Sequence, residues 1–318
     1  MSRRALGPAT LAVVQAVAAA LEPADRALLV ACSGGADSLA LAAGVAHVAR
    51  DAGLPWAGVV VDHGLQAGST EVAEGARAAL TGLGCADAVV VRIAVAPDGP
   101  GPEAAARDAR YAALESGRSA RGATLLLGHT RDDQAESVLL GLARGSGARS
   151  LAGMAVRADG RVRPLLRLPR SKTVACCAEL GLRPWTDPHN TDPAYARVRV
   201  RERVLPVLEA ELGPGVAAAL ARSADLLRAD ADLLDDLAAE AAAGAVRGDG
   251  LECAGLAGLP TALRTRVLRA WLLARGARDL GADHVAAVDA LVTAWHGQGP
   301  ANLPGLRVAR TDGLLRAL

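Results

Sequence analysis

The stretch LLVACSGGADSLAL, residues 28–41, is an apolar run that breaks into two glycines flanked by serines and an aspartate. Leu28 to Ala31 have the length and composition of a buried strand, and Leu39 to Val48 read as a helix with apolar residues on several faces. Ser33-Gly34-Gly35-Ala36-Asp37-Ser38 must carry the chain between them. Two glycines permit backbone angles and close approaches that side chains forbid, and a helix starting near Asp37 leaves several N–H groups unpaired and aimed outward. Such an end binds anions. Ser33 and Ser38 add hydroxyl donors, whereas a carboxylate among phosphate ligands, Asp37, makes sense when a divalent cation bridges the two. The stretch predicts a nucleotide bound with magnesium. An ordinary strand-to-helix turn capped by Asp37 or Ser38 is the alternative.

The hexapeptide resembles the PP-loop motif of enzymes that split ATP into AMP and pyrophosphate. It is neither the longer Walker loop nor the Rossmann glycine fingerprint. Strand and helix patterns alternate around it: strands at 56–64, 86–95 and 123–130, helices at 69–84, 102–120 and from Asp132. This alternation predicts an α/β fold, a mainly parallel sheet covered by helices on both faces. Ligands in such sheets sit beyond the carboxyl ends of the strands, so Ser33, Asp62, His63 and His129 should gather at one crevice. Past about residue 195 the pattern becomes helical, with a break at Gly213-Pro214-Gly215. We expect a nucleotide-binding domain over 1–212 and a smaller, mostly helical domain over 213–318, closed by a short hairpin. In the long helix after the break, Leu226, Leu227, Leu233, Leu234 and Leu237 fall on one side and the acids form a solvated face.

Bulk properties narrow the function. The 318 residues suit two domains, and no apolar run reaches the roughly 20 residues of a membrane span. Five cysteines without a C-x-x-C suit neither a disulfide framework nor a zinc or iron–sulfur site, and fit a cytoplasmic protein. Paired arginines near the start suggest an export signal, but Leu11, Val14, Val17, Ala18 and Leu21 fall at helical spacing and predict an amphipathic first helix instead. The net charge is only +1, yet Arg144 to Arg203 hold 13 Arg or Lys against 5 acids. That local field suits a phosphate backbone; a solvated arginine-rich surface is the alternative.

A second cluster lies in LLLGHTRDDQAESVLLGLARGSG, residues 125–147, where Asp133 and Glu136 share one face of a helix's first turn. Helix-dipole stabilisation explains an isolated pair of acids there. Here they follow a strand end expected in the same crevice as the nucleotide loop. Acids facing a triphosphate need magnesium or an ammonium group.

The ordered set SGGADS, VDHGLQ (61–66), AARDARY (105–111), GHTRDDQAE (128–136), ARGSGARSLAGM (143–154), RPLL (163–166) and WTDPHNTDPAYARVRVR (185–201) resembles tRNA(Ile)-lysidine synthetase. The likeness covers the first two-thirds of the chain, and the helical tail is similar to that family's second domain. It implies a short form without the third, C-terminal domain of longer members. It also implies that ATP adenylates the C2 oxygen of the wobble cytidine of an isoleucine tRNA with anticodon CAU, and that free L-lysine then displaces AMP. Ser33, Gly34, Gly35, Asp37, Ser38 and His129 would bind ATP, with magnesium at Asp37. Asp133 and Glu136 would hold magnesium or the lysine ammonium. Arg110 is favoured over Arg107 for the lysine carboxylate or a phosphate, and Asn190, Arg197 and Arg201 would position tRNA. His189 and Val198 depart from the serine and asparagine of the family pattern.

Two rival readings remain. Exchange of the same C2 oxygen for sulfur needs a sulfur carrier or cluster, usually provided by paired cysteines, and Cys176-Cys177 adjoin on a helix and point apart. A non-catalytic nucleotide-binding module accounts for the loop alone. The sequence leaves monomer and homodimer open.

Overall fold

Leu28–Ala31 is strand β1, buried at every position and hydrogen-bonded on both sides. The computed structural model describes residues 5–64, 68–93, 102–187 and 191–318, and the chain divides into two units, Met1–Leu226 and Leu227–Leu318. The first unit runs α1 (Pro8–Ala20), β1, α2 (Ala36–Ala52), β2 (Trp56–Asp62), α3 (Ser69–Gly82), β3 (Asp87–Arg92), α4 (Pro102–Arg121) and β4 (Thr124–Leu126). It continues with α5 (Arg131–Ala143), α6 (Ala148–Leu151), β5 (Arg157–Ala158), β6 (Arg161–Val162), α7 (Arg170–Glu179), α8 (Ala196–Arg199) and α9 (Leu205–Leu212). A π-helical turn, Val200–Val204, joins α8 to α9, and α10 (Val216–Ala245) leads into the second unit.

The first sheet has the order β3-β2-β1-β4-β6-β5, parallel except for the edge strand β5. Successive side chains of a strand point to opposite faces. Leu28, Val30 and Cys32 join α1, α2, α3 and α7 in one core, while Leu29 and Ala31 join Leu114 and Tyr111 of α4 in the other. The chain builds outward from β1 to β2 and β3, then returns to place β4 on the opposite side. That reversal opens a crevice at the carboxyl ends of β1 and β4, where ligands bind in such sheets.

Helix α2 lies between the sheet and two further helices, which explains its all-round apolar sequence: Leu39 to Ala43 and Val45 are all buried. The buried side of α1 is Ala9, Val13 and Val17, with Leu11 exposed, so the apolar face is rotated from the one expected at Leu11, Val14, Val17, Ala18 and Leu21. Gly44 causes this. A Cβ there would meet Val13 Cγ1 at 2.8 Å and Val17 Cγ2 at 3.0 Å, so the two valines close onto the bare backbone of α2.

The second unit contains β7 (Val246–Arg247), β8 (Gly250–Glu252), α11 (Cys253–Ala257), α12 (Thr261–Ala274), α13 (Ala282–Thr293), β9 (Ala301–Leu303), β10 (Leu306–Thr311) and β11 (Leu314–Ala317). Its strands form one antiparallel sheet, β7-β8-β11-β10-β9, so the expected closing hairpin is part of a five-stranded sheet. Leu251, Leu268, Leu272, Val288, Val308 and Leu315 are fully buried between sheet and helices. The buried stripe of α10 is Ala224, Ala231, Ala238 and Ala245, seven residues apart, while Leu226, Leu233 and Leu237 are exposed. The buried side is thus built of small residues, with Leu227 and Leu234 half-buried beside it.

Among the described residues no single helix is long and apolar enough to cross a membrane.

Candidate active site

Three segments meet at the crevice. The loop after β1 turns at Gly34, whose φ of +83° suits glycine, and α2 begins at Ala36. Ser38 holds the turn from within: its hydroxyl donates to Gly35 O at 2.9 Å and accepts from Ser33 N at 3.1 Å. From outside, Trp185 N donates to Gly34 O at 3.0 Å. The α2 N-terminus and the Ser33 hydroxyl are thus fixed in place before any ligand arrives.

The turn after β4 comes up against this loop at Gly128. A Cβ there would stand 3.1 Å from Asp37 C and 3.2 Å from Ser38 Cα, so any side chain would push the β4–α5 turn away from α2. Thr130 then caps α5, and Asp133 Oδ2 accepts from both its N–H and its hydroxyl at 2.8 Å. Helix capping therefore uses one oxygen of Asp133. The other faces Arg170.

Arg170, the first residue of α7, joins the two segments. Its Nε donates to Asp37 Oδ2 and its Nη2 to Asp133 Oδ1, each at 3.1 Å. Asp132 accepts from the Arg170 backbone N–H at 2.9 Å, and Thr173 donates to the other oxygen of Asp37. Glu136 is fully buried and receives Arg201 through Nε at 2.6 Å and Nη2 at 3.0 Å. Arg197 Nε lies 3.1 Å from Glu136 Oε2, an ion-pair contact outside hydrogen-bond alignment, while its Nη2 donates to Ser137 Oγ at 2.9 Å. The π-helical turn carries Arg201, a local widening of the kind often found at functional sites.

The charges are tuned unequally. Burial pushes the Asp37 carboxyl up, as does neighbouring Asp133, against the pull of Arg170 and Thr173. Burial also acts to raise Asp133, but Arg170 and the Thr130 hydrogen bonds hold it below the usual carboxylate range. Burial outweighs Arg201 at Glu136, which is raised. His129 is pushed down to about 4, first by burial and then by Arg163, Arg110 and Arg197, with Asp133 opposing. The ring is therefore neutral near pH 7, and its buried Nδ1 has no hydrogen-bond partner among the described residues.

A cavity of about 250 Å³ opens beside the loop, lined by Ser33, Gly35, Asp62, His63, Arg110 and Trp185 among others. Asp62 accepts from Gly64 N at 3.0 Å; burial acts to raise its carboxyl, but hydrogen bonds with Ser69, Gly64, Thr70 and Arg92 hold it low. Of the four residues expected at one crevice, Ser33, Asp62 and His63 line this cavity and His129 sits apart, beside Asp133. Arg110 reaches the cavity from α4, whereas Arg107 stacks over Tyr111 at 5.1 Å. His189 and Asn190 lie outside the described residues. Val198 is buried, an apolar contact in place of the family's asparagine. Gly128 and Trp185 open two of the motifs quoted above without a role assigned to either; Arg170 shows only as one arginine of the basic segment, just after RPLL, and Thr173 gives no signal.

All five cysteines are buried, and burial raises their thiols, Cys177 to about 12. Such thiols are poor nucleophiles, which removes the chemical basis for sulfur transfer by this chain's cysteines.

The fold and the glycine-serine loop define the class, a PP-loop ATP-binding protein: residues 10–208 match the PP-loop domain family. Residues 251–316 match the TilS substrate binding domain. The chain is 56% identical over 292 residues to the tRNA(Ile)-lysidine synthase of Thermobifida fusca (strain YX), covering 91% of this chain and 90% of that one. It is 53% identical to that of Salinispora arenicola (strain CNS-205), covering 98% and 97%. The chain belongs to the tRNA(Ile)-lysidine synthase family. The U34-tRNA thiolase NcsA from Methanococcus maripaludis, solved with its [4Fe-4S] cluster, shares the fold, with a TM-score of 0.57 at 19% identity over 69% of this chain and 80% of that one.

Proposed function

We propose that the protein uses ATP to join free L-lysine to C2 of the wobble cytidine of an isoleucine tRNA with anticodon CAU. The observation that carries this reading is the single guanidinium of Arg170 spanning Asp37 of the nucleotide loop and Asp133 of the β4–α5 turn. Two acids from separate segments converge where a nucleotide's phosphates meet a second, cationic substrate.

The cytosine C2 oxygen attacks the α-phosphorus of ATP, an oxygen–phosphorus bond forms, and the bond to pyrophosphate breaks. The fixed N–H groups of the α2 N-terminus receive the departing charge without reorganising, the Ser33 hydroxyl turns to add a donor, and Ser38, whose hydroxyl donates to Gly35 O, keeps the loop in shape. Lysine's ε-amine then attacks C2, the C2–O bond breaks and AMP leaves. Asp133 and Glu136 draw the ammonium in, and Glu136, with its raised affinity for protons, is the better acceptor of the proton the amine must lose. Arg110 meets the lysine carboxylate or a phosphate with a fork that suits either. Arg197 and Arg201 hold Glu136 in place; Arg197, 41% exposed, also has room to turn towards RNA.

The donors facing the loop are carboxylate and hydroxyl oxygens, which suit magnesium. No group of three or more His, Cys, Asp or Glu gathers among the described residues, so phosphate and water oxygens complete any shell built on Asp37 and Asp133. Bound there, magnesium would neutralise charge on the phosphate oxygens. The product, lysidine, changes codon reading from AUG to AUA, and the reaction runs in the cytoplasm.

Pyrophosphate release tests the order of steps. With ATP, magnesium and the CAU transcript but no lysine, release is expected, and a transcript with a changed wobble base should give none. Release that needs lysine but ignores the RNA contradicts the reading.

A further inference from the structure

A second cavity of about 280 Å³ lies in the first unit, away from the nucleotide loop, between the start of α5, the segment at Leu166-Arg167 and the first turns of α10. Val156, Leu166, Ala218 and Ala221 supply an apolar wall, and Arg131, Arg167 and Arg222 supply charge. The one acid in its lining, Asp225, stands 3.8 Å from Arg167 in an exposed pair. Exposed pairs contribute little, so the lining keeps an excess of positive charge. Among the described residues, Arg131 Nε is buried with no hydrogen-bond partner, and Arg222 has neither an acid nor a hydrogen bond. Glu209, whose charge Arg131 feels, is engaged by the backbone N–H groups of Gly215 and Ala217.

A buried donor without a partner calls for one, and guanidinium groups in a pocket with an apolar wall suit a phosphate carried on a sugar. We infer that this cavity binds a backbone phosphate of the RNA strand next to the reacting nucleotide. The position follows from α5: Arg131 lines this cavity, while Asp133, two residues on in the same first turn, faces the reaction site. A strand whose reacting base meets Asp133 brings a neighbouring phosphate within reach of Arg131. The RNA-binding role expected of Arg197 and Arg201, which lie against the buried Glu136, thereby passes in part to arginines that no buried acid engages among the described residues.

The inference rests on the reading of the substrate as RNA, and the test separates the two. Binding of an anticodon stem–loop with the CAU loop is measured across a salt series for the unaltered protein, for Arg167→Ala/Arg222→Ala, and for Arg167→Lys/Arg222→Lys. Both arginines are exposed, so the variants should fold, and their unfolding temperatures check this. The alanine pair should bind about three- to tenfold more weakly at low salt, with a salt slope shallower by about 0.7 for each phosphate that is no longer neutralised, and the lysine pair should keep most of the slope. Unchanged affinity and slope in the alanine pair, or an equal loss in the lysine pair, overturns the phosphate site. A stem–loop that the unaltered protein does not bind at all overturns the RNA reading and the inference together.

Discussion

Arg170 stands between two carboxylates and pairs with both, while Arg201 reaches only Asp133, at 4.0 Å. Arg170→Ala is expected to lower stability by about 1–3 kcal/mol, below the range for fully buried pairs because all three side chains are partly exposed. Chemical denaturation measures the loss, and an unchanged midpoint contradicts the assigned role. Arg170→Lys should restore part of it, since an ammonium supplies charge but not the fork that reaches both acids. His129 makes a pH-dependent contribution whose sign is fixed. The unfolded ring titrates near 6.5 and the folded one at about 4, so between those values the unfolded state binds the extra proton. Stability should therefore fall as the pH drops from about 6.5 to about 4, by an amount on the order of 2–3 kcal/mol attributable to this ring. His129→Gln should remove that component of the slope; an identical pH profile in the variant refutes it. Asp37, Asp133 and Glu136 stand out in the sequence because they fall beside an expected phosphate loop, although capping of α5 accounts for one oxygen of Asp133. Arg170 does not, because an arginine in a basic segment looks like surface until its contacts are known.

At the scale of elements, Gly128 sets how closely β4's turn approaches α2. Gly128→Ala should cost about 1–3 kcal/mol, because the contact is with backbone and cannot be relieved by turning a side chain. It should also slow pyrophosphate release by spreading Asp37 from Asp133. Unfolding and release kinetics that match the unaltered protein contradict the claim that this contact registers the site. The strands and helices of the first 145 residues were legible from alternating patterns, since each strand is short, apolar and bracketed by polar turns. Two hairpins were visible in principle: Asp159-Gly160 and Asp312-Gly313 take positive φ at both residues, as tight strand connections require. Strands of two residues, such as β5 and β6, are too short to show a period, so only the turn could announce them. The buried faces of α1 and α10 differ from the expected ones for one reason. Packing selects small side chains at Gly44 and along Ala224, Ala231, Ala238 and Ala245, which a count of large apolar residues overlooks.

Over the whole molecule, the order of motifs carries more than any one of them. The loop after β1 and the acids after β4 lie about a hundred residues apart, and the sheet order brings them to the one place where the direction of strand addition reverses. Sequence alternation foretells a parallel sheet but not its strand order, which depends on long-range pairing. The measurement that decides most directly is transfer of radiolabelled lysine to RNA, with ATP, magnesium and an isoleucine tRNA transcript carrying CAU, beside a transcript with a changed wobble base. Label in the first RNA alone, lost in Asp37→Asn, is the predicted result. No label in either, from folded protein that binds ATP, or equal label in both, contradicts lysine transfer to the wobble cytidine.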